Sequence, residues 1–251
     1  TAGAKNSLPD SVVNNTGVIE ARTVENHAGT IILLGGQLAG QTNVAGTLDS
    51  SAPHGGNGGL IETSAASVKI SDTAKISTAA TSGQGGVWLV DPTGFSIAAS
   101  GADMTGSTLS NLLSTNGIVV IQTSNGSQGV HGDITVNDAV SWSTNNKLIL
   151  DAYRNININK TITATGGSGQ LALLYGQGAG AENNTAAYKI NAPINLQNGQ
   201  NFTTTLGSDG ITKVFTVIGG LGAAASTTGA DLQGIGGNLS GNFALGDTID
   251  A

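Results

Sequence analysis

Short apolar–polar alternations recur along this chain at nearly fixed intervals. Gly17-Val18-Ile19-Glu20-Ala21, Gly46-Thr47-Leu48-Asp49-Ser50 and Lys75-Ile76-Ser77-Thr78 begin at positions 17, 46 and 75, a constant step of 29. A second series, Gly29-Thr30-Ile31-Ile32-Leu33, Gly59-Leu60-Ile61-Glu62-Thr63 and Gly86-Val87-Trp88-Leu89-Val90, keeps pace at steps of 30 and 27. The third comprises Thr42-Asn43-Val44, Ser67-Val68-Lys69-Ile70 and Gly94-Phe95-Ser96-Ile97. Alternation over four to six positions is the period of a strand with one buried face, and it puts Val68, Ile70 and Ile97 on the same side.

Three short strands per period describe one coil, which cannot bury its apolar face alone. Coils must therefore stack, each strand pairing in parallel with its equivalent one period later. The pattern predicts an all-β fold, a right-handed parallel β-helix or solenoid with three short strands per coil, its hand following the usual rule for parallel crossovers. With strands about 4.8 Å apart and at most about 8.7 coils in 251 residues, the rod should be roughly 40 Å long.

Residues 1–100 read as regular coils. The pattern blurs over 101–117, where Ser107 to Leu113 reads as a short helix with a Ser or Thr cap, a small insertion at a corner. Coils resume over 118–218 with Ile118–Ile121, Asp133–Val136, Lys147–Leu150, Asn155–Ile158, Thr161–Ala164, Gln170–Leu174 and Tyr188–Ile190, and Ile162 again follows Ile134 by one period. Phe202–Thr205 and Val214–Ile218 are more widely spaced. Residues 219–251 form a tail rich in Gly and Ala with the start of a further repeat at Phe243-Ala244-Leu245.

Composition fits this picture. Gly, Thr, Asn and Ser make up 113 of 251 residues, and with nine aromatics the core falls to Ile, Leu, Val and Ala. Recurrent β-branched clusters and low charge argue against disorder. A net charge of −7, from 16 acidic and 9 basic residues, excludes a nucleic-acid binder, since nothing here neutralises a run of phosphates. Zero Cys removes disulfides and thiolate metal sites. No apolar run approaches the roughly 18 residues of a membrane span, and no signal-peptide pattern follows Thr1, so membrane insertion is not expected and a soluble chain or mature fragment is.

The run Val13-Asn14-Asn15-Thr16-Gly17-Val18-Ile19-Glu20-Ala21, with Gly29-Thr30-Ile31-Ile32-Leu33-Leu34-Gly35 and Gly46-Thr47-Leu48-Asp49-Ser50, resembles the repeats of filamentous haemagglutinin-type exoproteins. Leu148-Ile149-Leu150-Asp151-Ala152 and Asn155-Ile156-Asn157-Ile158-Asn159 are similar to a later part of such chains, and Phe215 to Asp250 to the opening of their Gly-rich repeats. The resemblance implies export by two-partner secretion through an outer-membrane transporter. It further implies a place outside or on the surface of a Gram-negative bacterium, and a non-catalytic role in adhesion toward a glycan or protein of a host or neighbouring cell. The family's N-terminal secretion domain and any toxin or lyase module are not recognisable here. Strand edges at the ends of a coil stack predict either end-to-end self-association or shielding by the chain's own termini.

Parallel β-helices also serve as polysaccharide lyases and hydrolases, so Asp91, Asp133, Asp138 and Asp151 are candidates for paired catalytic carboxylates or Ca²⁺ ligands. Such a site needs a basic partner; Arg154 and Lys160 are nearest in sequence, and Arg22 is the only other Arg. The plainer reading makes these Asp residues turn formers bonded to nearby backbone amides. His27 and His54, close to one period apart, fall near the same corner of neighbouring coils, while His131 stands alone; exposed turn histidines are expected, with no metal and no cofactor. Gly55-Gly56-Asn57-Gly58-Gly59 and Gly83-Gln84-Gly85-Gly86 lack the Lys-Ser or Lys-Thr of a phosphate loop and read as corners requiring positive φ. Trp88, Trp142, Tyr153 and Tyr175 suit either a sugar-stacking platform or core packing. Asn155, Asn157 and Asn159 alternate with Ile156 and Ile158, and stacked Asn side chains would bond along the rod.

Overall fold

A computed structural model describes residues 11–25, 27–124, 132–178 and 184–250. The first coil contributes β1 (Val12–Asn15) and β2 (Val18–Glu20), the next β3 (Thr30–Leu34), β4 (Gln41–Val44) and β5 (Thr47–Asp49). Then follow β6 (Leu60–Ser64), β7 (Ser67–Ile70) and β8 (Lys75–Ser77), and the fourth coil has β9 (Val87–Asp91), β10 (Phe95–Ile97) and the helix α1 (Gly106–Thr115). Two complete coils come next: β11 (Ile118–Gln122), β12 (Ile134–Val136), β13 (Val140–Trp142), and β14 (Lys147–Asp151), β15 (Ile156–Ile158), β16 (Ile162–Ala164). The last regular coil is β17 (Gln170–Tyr175), β18 (Tyr188–Ile190) and β19 (Ile194–Asn195), after which β20 (Gly199–Leu206), β21 (Thr212–Ile218) and β22 (Asn242–Leu245) end the described chain.

These elements form a parallel β-helix of about 8 turns. One side is a sheet that runs unbroken from β3 through β6, β9, β11, β14 and β17 to β20. Thr30 lies beside Leu60, Leu60 beside Val87, Val87 beside Ile118, Ile118 beside Lys147 and Lys147 beside Gln170, so the coil length varies with its corners while the register holds. The Gly-initiated series from Gly29, Gly59 and Gly86 and the series at Val18, Thr47 and Lys75 both lie strand against strand, as their spacing predicts.

The other two sides break at the fourth coil. The helix expected at Ser107–Leu113 is present, with the Thr105 hydroxyl accepting from the Thr108 backbone N–H. It stands where its coil's third strand would be, packed between β8 and β13. On the second side, the expected direct stacking of Phe95–Ile97 on Ser67–Ile70 does not occur. Asp103 and Met104 are wedged between them, the Asp103 carbonyl accepting from Ile70 N–H at 2.8 Å and the Met104 carbonyl from Ala98 N–H at 3.1 Å. The Asp103 carboxylate fixes the wedge, accepting from the Ser96 backbone and hydroxyl and facing Lys69 Nζ at 2.8 Å.

The core is a mainly aliphatic column that also takes in Trp88, Phe95 and Trp142. Val68, Ile97, Ile121, Ile134, Leu148, Leu150, Ile156 and Ile158 are fully buried. Each such side chain contributes roughly 1.5–3 kcal/mol relative to exposure. Leu109, Leu112 and Leu113 turn the apolar stripe of α1 into the same core. At the far end β21 runs antiparallel to β20, and β22 runs parallel to β21, so the sheet reverses direction there. Phe202 and Phe215 meet across that reversal with ring centroids 5.1 Å apart.

Candidate functional site

The four candidate carboxylates have three different settings. Asp133 precedes β12, and both its oxygens accept from Arg154, at 2.8 and 2.6 Å, while Oδ1 also accepts from Asn155 N–H. Burial alone would raise this carboxyl, but those donors hold it below its usual range. Asp138 lies between β12 and β13. Its Oδ2 accepts from Gly106 N–H, the first residue of α1, at 2.9 Å, placing negative charge at the helix N-terminus where the dipole favours it. Asp133, Asp138 and Arg154 thus hold coil to coil and helix to coil.

Asp91 and Asp151 end strands β9 and β14 on the long sheet. Val90 lies beside Ile121, and Gln122 beside Asp151, so Gln122 separates the two carboxylates on the intervening strand. Glu62 is on β6, one coil before Asp91. Burial, then the nearby Glu62 charge, raises Asp91; burial, then the Asp91 charge, pushes Asp151 up to about 6. Asp91 Oδ1 is shielded from solvent and has no hydrogen-bond partner among the described residues. No Arg or Lys forms an ion pair with either carboxylate among the described residues.

The remaining candidates divide similarly. Trp88 and Trp142 are core residues, their indole N–H groups donating to Thr63 Oγ1 at 3.3 Å and to the Asn146 carbonyl at 3.1 Å. Tyr153 packs over Gly132 and Gly178, and Tyr175 meets Tyr188 edge to face at 5.1 Å. His27 and His54 are exposed in turns, and His131 lies outside the described residues. No group of three or more His, Asp or Glu gathers in metal-binding geometry among the described residues. Of the three expected asparagines, Asn159 stands in a ladder: Asn159 Nδ2 donates to Asn137 and Asn191 Nδ2 to Asn159, at 2.8 and 2.7 Å, and a separate pair, Asn43 donating to Asn14 at 2.7 Å, bonds likewise between earlier coils. Asn155 instead accepts from Ala187 N–H.

Sequence reasoning missed the outward side of the long sheet. Strands β9, β11 and β14 do not alternate apolar with polar; Val87 and Leu89, Ile118 and Val120, and Ile149 face outward and are only partly covered. The signal was the unbroken apolar runs Val87–Val90 and Ile118–Ile121, which mark strands apolar on both faces.

Set against protein-family models, curated proteins and solved structures, the chain matches none. Among the described residues no helix is long and apolar enough to cross a membrane.

Proposed function

We propose that this chain is a structural segment of a secreted or surface-exposed bacterial adhesin or extracellular filament, supplying reach and display rather than catalysis. The observation that carries this reading is the seven-strand parallel run from β3 to β20 in one register. Each coil lengthens such a rod by about 4.8 Å and repeats the same flat sides for contact. The chemistry agrees with it: of the four carboxylates weighed as catalytic, two are engaged in bonds that hold the coils and the helix in place. Export through an outer-membrane transporter of a Gram-negative cell, and a glycan or protein of another cell as the contact, complete the reading.

Antibodies against the folded chain, applied to intact producing cells and to their medium, test it. Labelling of the surface or recovery in the medium is the expected result. Signal only after lysis, or turnover of polysaccharide by the purified chain that falls when Asp91 and Asp151 are changed to Asn, would overturn it.

A further inference from the structure

The outward side of the long sheet carries an apolar strip with an acidic margin. Leu60, Val87 and Ile118 stack in one column, and Leu89, Val120 and Ile149 in the next. From β3 to β17 the face extends about 24 Å along the axis and, over two pleat repeats, about 13 Å across, or roughly 300 Å². Those six apolar side chains occupy part of that face, and an apolar strip bordered by charged groups is the kind of patch that marks a contact surface. Glu62, Asp91 and Asp151 lie within or beside the strip and Lys147 faces out at the opposite end of β14 from Asp151, yet none of the four forms an ion pair among the described residues.

We propose that this face docks an extended polypeptide segment of a partner protein, one that runs along β11, lays apolar side chains over Ile118 and Val120 and sets Lys or Arg over Gln122, between Asp91 and Asp151. Charge selects this occupant. A second copy of the chain, at net charge −7, would bring the same carboxylates against these. An anionic surface is repelled in the same way, and a neutral glycan would leave the carboxylates desolvated and unpaired. A cationic side chain set between Asp91 and Asp151 offsets the cost of holding two like charges on a partly covered surface. Geometry selects an extended segment, because its alternate side chains stand about 6.8 Å apart, the same interval that separates the columns of the sheet. The surface belongs to the fold and stands whether or not the rod is an adhesin.

The probe is a synthetic peptide in which every second residue reads Leu, Leu, Lys with Thr between, titrated against the full chain in physiological salt. Binding should weaken at least tenfold in the double variant Asp91→Asn/Asp151→Asn and in Val120→Thr/Ile149→Thr, with circular dichroism verifying that each is folded. Asp247→Asn/Asp250→Asn, which removes the same charge elsewhere, should bind within twofold of the parent, and a peptide with Glu for Lys should not bind. No binding up to about 1 mM, equal loss in the Asp247/Asp250 control, or binding of anionic vesicles at this face would overturn the proposal.

Discussion

Arg154 grips Asp133 with two guanidinium N–H groups, at 2.8 and 2.6 Å, across neighbouring coils whose strands β12 and β15 are paired. The planar fork fits a carboxylate at both oxygens, which gives the contact a direction as well as a charge. It clamps the corner at which the chain passes from the long sheet to the second side.

Arg154→Ala should cost about 1 kcal/mol, a modest figure because the Arg154 side chain is 44% exposed and its charge is screened. Arg154→Lys should restore only part, having lost the second bond. Because Asp133 is held below its usual pKa, its stabilisation is complete above the unfolded carboxylate range and lost as pH falls through the lowered folded value. The acid limb of a urea-midpoint profile should therefore flatten in Arg154→Ala; an unchanged limb would show the pair to be silent.

Asp151 has the opposite sign. Its pKa, raised to about 6, means that between the unfolded value near 4 and pH 6 the folded state binds more protons than the unfolded one, so stability falls as pH rises through that window. Asp151→Asn should stabilise the chain at pH 7.5 by on the order of 1 kcal/mol after allowance for partial solvent screening. It should also remove that descending limb. Titration of the Asp151 carboxyl by NMR with a midpoint in the ordinary Asp range would refute the burial argument.

Gly86 opens β9 where neighbouring turns nearly touch: a Cβ there would fall 1.9 Å from the Gly59 carbonyl oxygen. Gly86→Ala should therefore cost several kcal/mol or prevent folding, as backbone cannot yield as a side chain does. Gly167→Ala, with nothing within 4 Å and ordinary φ, should be nearly neutral. Thermal unfolding of the two variants side by side decides it, and equal melting temperatures would count against the packed corner.

The coil and its register were legible because Gly at each corner and β-branched residues at each strand repeat with little drift, and every Gly-initiated strand from Thr30 to Val90 found its neighbour. The glycine corners are of two kinds. Gly56 and Gly83 take φ of +83° and +146°, whereas Gly59 and Gly86 are required for close approach instead. The wedge of Asp103 and Met104 was not legible, since no local pattern announces that the chain leaving β10 will loop back onto the strand it left. Of the candidate carboxylates, sequence order set Asp91 about two periods away from Asp151 and joined Asp151 to Arg154. Stacking kept the first relation, with the two acids two coils apart on one face, and changed the second by giving the arginine to Asp133, because neighbours in a solenoid are set by coil position rather than by chain distance.

The reversal at β21 has a geometric consequence. Along the long sheet up to β20, each strand offers the next a parallel row of donors and acceptors, a template that could be extended turn after turn. A strand running backwards changes the polarity of that template, and whatever lies against β22 in the same orientation must travel opposite to everything from β3 to β20. The long sheet therefore carries its own punctuation: among the described residues, one hairpin closes its parallel run.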